Sequence, residues 1–235
     1  MEDRKKFILF TIIKEHTRSK MPVGSSVLVE KYNLEISSAT VRNIMADLEN
    51  DDFIAQPYTS AGRIPTEKAF RFYVNSFFGE LKNDNIEKVL KKKEADELSS
   101  SLKDLDEFGF KKTAKLIADI SDSAVFWAFN QNNLYYTGIS NLLKQPEFYQ
   151  TGSILDVSIV IDRMDEIIND IFEDTQMETS VLIGSTNPFG DFCSTVLSKY
   201  KIGKKKGLFG ILGPLRMDYK KNISLVNYIF NKINK

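Results

Sequence analysis

The stretch SSATVRNIMADLENDDFIAQPYTSAGRIPT, residues 37–66, decides how the first part of this chain folds. Ser37 and Ser38 offer a helix N-cap. Val41, Ile44, Met45 and Leu48 follow at i, i+3, i+4 and i+7, so the spacing predicts a helix that buries this side. Its opposite face carries Ala39, Arg42, Asn43, Ala46 and Asp47. Alanines let a backbone approach the floor of a DNA groove, while a guanidinium and a carboxamide match donor and acceptor pairs on guanine and adenine. The N–H groups at the helix start, from Ser37 and Ser38 to Ala39 and Thr40, suit a phosphate. A merely solvated face has the same residue types, so the helix alone leaves two readings open.

The residues that follow separate them. The pattern predicts a strand over 53–56, a turn of small and polar residues over 57–62, and a returning strand at Arg63 and Ile64. Such a hairpin beside such a helix is the wing of a winged helix-turn-helix. Thr59, Ser60 and Gly62 can present hydroxyls and backbone N–H groups to phosphates, and Arg63 can reach a phosphate or a narrow minor groove. Pro65 and Thr66 stop the strand and cap a helix carrying Ala69, Phe70, Tyr73, Val74 and Phe77.

Working outward toward the N-terminus, residues 7–17 place Phe7, Ile8, Thr11, Ile12 and Glu15 on one stripe of a supporting helix. Pro22, Val23, Gly24 and Ser25 form a second start signal, with Ser25 as N-cap and expected DNA contact, and Val27, Leu28 and Tyr32 as the buried face. Residues 33–36 make the turn.

Toward the C-terminus, residues 81–107 are rich in charged residues and serine, and read as a charged linker or a reduced dimerisation segment. Beyond them the pattern predicts a helix over 111–122 and strands over 124–129 and 134–137 around a turn at 130–133. A long helix opening at Ser153 and running through Phe172 follows, then strands over 180–184, 192–200 and 207–212, and a closing helix over 218–233. The expected fold class is α+β: a winged helix-turn-helix over 1–80, the linker over 81–107, and an α+β domain with an antiparallel sheet over 108–235.

Composition narrows the function classes. A chain of 235 residues can hold two cores, and 42% apolar with 27% charged side chains is the mixture of a globular protein. No apolar run reaches the length of a membrane span, and residues 7–13 lack a small-residue cleavage site, so the expectation is cytoplasmic with no membrane partner. Lys plus Arg equals Asp plus Glu at 32 each, and residues 1–79 hold 11 basic against 10 acidic side chains, so any DNA affinity must come from arrangement rather than net charge. Cys193 and His16 are the only residues of their kinds, which leaves no Cys/His metal site, and no cofactor is expected.

The same residues resemble the heat-inducible transcription repressor family HrcA, which controls chaperone operons in bacteria. The resemblance rests on PVGSSVLVEKY at 22–32, SSATVRNIMADLE at 37–49 and QPYTSAGRIPT at 56–66, and further on GISNLL at 138–143, VLIGSTN at 181–187 and GILGPLRMDY at 210–219. It implies a winged-helix domain, a GAF-like α+β domain, a homodimer on an inverted-repeat operator in double-stranded DNA, and activity dependent on the chaperonin GroEL. The chain is shorter than typical members, with the loss placed between residues 80 and 156. Tyr58 stands where the family usually has histidine, Ser26 where it has lysine, and Ile44 where it has aspartate.

Rival functions rest on weaker features. A GAF-like domain suggests a small-molecule-responsive regulator, with Phe126, Trp127, Phe129, Tyr135 and Tyr136 around a pocket, although aromatics at strand spacing more often form core. Asp156, Asp162, Asp165 and Glu166 read as the solvated side of one helix, with no nucleophile or metal motif beside them, so no enzyme is expected. Gly203, Gly207, Gly210 and Gly213 lack phosphate-loop spacing and read as a hairpin, and Arg216 with Asp218 reads as an ion pair leading into the last helix.

Overall fold

The computed structural model describes residues 1–83, 89–103, 106–131, 133–149 and 153–234. Parts of the expected linker, Asn132 of the expected turn, and the side chain of Asp156 lie outside the described residues. The chain divides into two compact units, Met1–Phe77 and Phe78–Lys235.

The first unit runs α1 (Asp3–Ser19), α2 (Ser25–Tyr32), α3 (Ser38–Asn50), β1 (Ile54–Ala55), β2 (Ile64–Pro65) and α4 (Glu67–Asn75). Its core joins Ile8, Leu9, Ile12 and Ile13 of α1 to Leu28, Val41, Leu48, Ile54 and Phe70, all nearly inaccessible to water. Burying such side chains is the main force that holds short helices, which are marginal alone. Phe7, expected on the buried stripe, is 54% exposed, and Leu9 and Ile13 lie inside instead. The expected stripe covered only part of the buried arc. Val27 is likewise exposed, so α2 buries Leu28. Gly24, not Ser25, is the N-cap of α2, and Ser25 is its first helical residue.

The hairpin differs from expectation in its pairing. Ile54 faces Pro65 and Ala55 faces Ile64, while Arg63 leaves this ladder and exchanges backbone hydrogen bonds of 2.8 and 2.9 Å with Val23. Gly62 permits this approach. A Cβ there would sit 2.5 Å from the carbonyl carbon of Val23, closer than any side chain tolerates.

The second unit is built on one antiparallel sheet of β3 (Ala124–Asn130), β4 (Asn133–Thr137), β5 (Thr179–Ile183), β6 (Cys193–Ile202) and β7 (Lys205–Pro214), in the order β4-β3-β7-β6-β5. Side chains alternate across it. Ala124, Phe126, Ala128, Leu197, Leu208 and Leu212 meet one layer of helices: α7 (Ile139–Leu143), α8 (Pro146–Tyr149), α9 (Ser153–Asp162) and α10 (Met164–Asp174). On the other face Trp127 stacks between Phe110 and Phe209 at 4.8 and 4.9 Å, and donates to the hydroxyl of Tyr200 at 2.9 Å. That face packs on α6 (Glu107–Ser121) and α11 (Tyr219–Ile233). The fold is α+β with an antiparallel sheet.

Several expectations change here. Within the 81–107 segment, α5 (Lys92–Ser101) packs on α6, with Leu98 fully buried and the Thr113 hydroxyl donating to the Ser101 hydroxyl at 2.9 Å. The single helix expected from Ser153 is two, α9 and α10, separated at Arg163. Periodicity could not register the break, because both helices turn their i, i+3, i+4 residues to one core. The pair Arg216 with Asp218 does not form. Arg216 binds the Glu147 carboxylate and the Gln145 side chain, and Asp218 caps α11 by accepting from the Lys221 N–H at 3.1 Å. The glycines of 203–213 do form a hairpin: Gly203 takes the turn at φ 60°, while a Cβ at Gly207 or Gly210 would strike the rings of Tyr200 or Phe126.

Candidate nucleic-acid interface

Ser37 caps α3, its hydroxyl accepting from the Thr40 N–H at 3.1 Å and lying 2.9 Å from the Thr40 hydroxyl. This fixes where the helix starts and occupies one of its free amides. Val41, Met45 and Leu48 are buried and Ile44 is half-buried, which turns Ser38, Ala39, Thr40, Arg42, Asn43, Ala46 and Asp47 outward; all seven are exposed. Neither the guanidinium of Arg42 nor the carboxamide of Asn43 has a hydrogen-bond or ion-pair partner among the described residues. Both side chains are open to solvent. The carboxylate of Asp47, further along the same face, is exposed and makes that end of the face unfavourable to an anion.

The hairpin supplies a second exposed element. Tyr58, Thr59 and Ser60 are exposed at its tip, with Ser60 held at φ 68°, and Gln56 closes the loop by donating to the Ala61 carbonyl at 3.1 Å. Gly62 is packed on the Val23 backbone rather than offered outward. Arg63, expected to reach DNA, already has a partner: its Nε donates to Glu49 Oε2 at 2.9 Å, a second nitrogen lies 2.9 Å from the same carboxylate, and Nη1 donates to the Ala61 carbonyl at 3.4 Å. Nothing in the local pattern could have singled out Glu49, fourteen residues away on the far turn of α3. Ser25, at the start of α2, is half-buried.

Behind this surface the buried carboxylate of Glu15 joins α1 to α2, accepting from Lys31 at 2.6 Å, Arg18 at 2.8 Å and the Tyr32 hydroxyl at 3.1 Å. Burial, and then the Glu15 carboxylate, raise the Tyr32 phenol above its ordinary value. The ion pairs Lys5 to Asp51, Arg18 and Lys31 to Glu15, Arg63 to Glu49 and Arg71 to Glu67 use basic side chains internally. Arg42, on the outer face of α3, takes part in none of these pairs.

In the second unit the aromatic residues do not converge on one pocket. Phe126 and Trp127 are buried on opposite faces of the sheet, Tyr135 lies under Lys111, and Tyr136 is 42% exposed. Phe129 alone of the five lines a described cavity, beside Phe110 and Tyr200, and the other four are core and surface. Cys193 is buried and its thiol is pushed well above the usual range, while His16 is hydrogen-bonded to the Met21 carbonyl at 2.9 Å. Asp162, Asp165 and Glu166 are exposed, the first on α9 and the others on α10. Among the described residues no three or more His, Cys, Asp or Glu side chains are grouped to hold a metal, and no helix is long and apolar enough to cross a membrane.

A small helical unit with a hairpin, joined to a three-layer unit on an antiparallel sheet, defines an α+β protein. A crystal structure described only as a hypothetical protein has the same fold, with a TM-score of 0.79 at 18% identity, covering 100% of this chain and 98% of that one. A family model described as the HrcA protein C-terminal domain matches residues 68–223, and the chain belongs to the HrcA family. Its relatives include proteins named heat-inducible transcription repressor HrcA. One from Thermoanaerobacter pseudethanolicus is 27% identical, with 100% of this chain and 96% of that protein covered. Another, from Caldanaerobacter subterraneus subsp. tengcongensis, is 40% identical over 121 residues, 52% of this chain and 34% of that protein. The alignment with the first runs over 334 positions against 235 residues here, so 99 of those positions have no counterpart in this chain.

Proposed function

We propose that this protein is a transcriptional repressor of heat-shock genes whose first unit is a winged helix-turn-helix. In this reading α3 enters the major groove, Ala39 allows close approach, and Arg42 and Asn43 read base edges. Ser37, Ser38 and Thr40 at the helix start, Ser25 of α2 and the hairpin tip at Thr59 and Ser60 hold the DNA backbone. The observation that carries it is the outward face of α3, where a guanidinium and a carboxamide without partners flank small residues. The relatives named heat-inducible transcription repressor support the repressor role and its link to heat.

The protein acts as a homodimer on an inverted repeat, because two-fold protein symmetry matches two half-sites, and the chaperonin GroEL modulates it. The second unit, GAF-like in this reading, supports that arrangement. Footprinting on the chaperonin promoter of its own genome, with and without GroEL, tests the proposal. Protection of both half-sites is expected; no protection at any inverted repeat there would sink it.

A further inference from the structure

The base of the hairpin is held from two sides. On one, the backbone of Arg63 is paired with Val23, just ahead of α2, with Gly62 pressed on the same backbone. On the other, the Arg63 side chain reaches the last turn of α3 and meets Glu49 through two nitrogens on one carboxylate oxygen at 2.9 Å. The remaining guanidinium nitrogen turns back to the Ala61 carbonyl of the same hairpin. Arg63 is 23% exposed and Glu49 34%, so the pair is partly shielded from water and from screening ions.

We infer that Glu49 and Arg63 form a clamp that fixes the hairpin against α3, so that both are positioning residues and Arg63 is not itself a DNA contact. A planar guanidinium held in this way fixes direction as well as distance. It ties the element that reads bases to the element that holds the backbone, and both must reach one duplex at once. The inference rests on the reading of the first unit as a DNA-binding unit.

Electrostatics and clamping predict opposite signs for one substitution. Glu49→Met removes a negative charge, so if Arg63 were a phosphate contact restrained by Glu49, DNA binding would tighten. The clamp predicts the reverse. Titrating a labelled duplex carrying the promoter inverted repeat should show Glu49→Met and Arg63→Ala each weakening binding about tenfold, the double variant no worse than either single one, and the charge-exchanged pair Glu49→Arg with Arg63→Glu restoring most of the loss. The backbone bridge to Val23 does not depend on the Arg63 side chain, and partly exposed pairs contribute little to stability, so the variants should fold.

Amide hydrogen exchange of the free protein reads the clamp without DNA. Amides of residues 59–63 should exchange several-fold faster in both single variants. Unchanged exchange there overturns the clamp whatever DNA does. So does tighter binding by Glu49→Met alongside a salt slope lowered by about one in Arg63→Ala, which would make Arg63 a phosphate contact. If the unaltered protein binds no inverted repeat while the exchange changes appear, the clamp stands as a structural device and the DNA-binding reading fails.

Discussion

The two units differ in how far along the chain their distinguishing residues lie from one another. The first keeps its informative groups outside, on α3 and the hairpin tip, and its exposed face is set by a cap and a helical repeat within a dozen residues. The second turns its chemistry inward. Trp127 meets Tyr200 across 73 residues of sequence, and Arg216 meets Glu147 across 69. A surface that must recognise something can be specified locally, whereas a layered sheet closes only through contacts distant in the chain.

Substitutions in each unit should reveal this contrast as effects of different size. The largest effect is expected from Phe126→Ala in the sheet core, which should destabilise the second unit by about 3–5 kcal/mol. Trp127, the only tryptophan, reports it by fluorescence during denaturant unfolding. A loss under about 1 kcal/mol would mean that the helix layer carries that core without the ring.

Alkaline pH should act next. Burial pushes the Tyr200 phenol up to about 12, with the hydrogen bond from Trp127 lowering it in part. A folded-state value above the ordinary value of about 10 means the contribution is complete below pH about 10 and is lost as pH climbs toward about 12, amounting to about 3 kcal/mol at most. The difference in stability between the unaltered protein and Tyr200→Phe should therefore change across that window. A constant difference from pH 8 to 12 would contradict it.

Arg42→Ala should leave unfolding unchanged yet remove about 1–3 kcal/mol of binding at a preferred site and relax base preference, as a competition titration with altered half-sites would read. Equal discrimination by the variant would show that this side chain does not read bases. Gly62→Ala should cost the first unit about 1–3 kcal/mol through the clash with Val23, seen by far-ultraviolet circular dichroism, and a neutral result would place the hairpin further from α2. The smallest effect, about 1 kcal/mol, is expected from Ser37→Ala, because only one amide loses its cap; an unchanged melting midpoint would remove Ser37 from that role.

What could be read directly follows the same division. The helix caps at Ser37 and Thr66, the buried side of α3 and its exposed opposite face came from residue type and spacing, because a helix repeats every few residues. The short helices α7 and α8 escaped, since four or five residues carry no period to detect. Ser25 was misplaced by one position because glycine and serine both serve as caps.

Residue order alone was enough to place an amphipathic helix capped at Ser37 or Ser38 with Arg42 and Asn43 on its outer face, a hairpin after it, and an antiparallel sheet further on. Those depend on local sterics and hydrophobic period. It takes the assembled fold to hold Arg63 between Glu49 and Val23, to spread the expected pocket aromatics over two faces of a sheet, and to pack α5 on α6. An ion pair or a ring stack needs two groups brought within a few ångströms by the whole fold, and residue spacing carries no record of which partner will arrive.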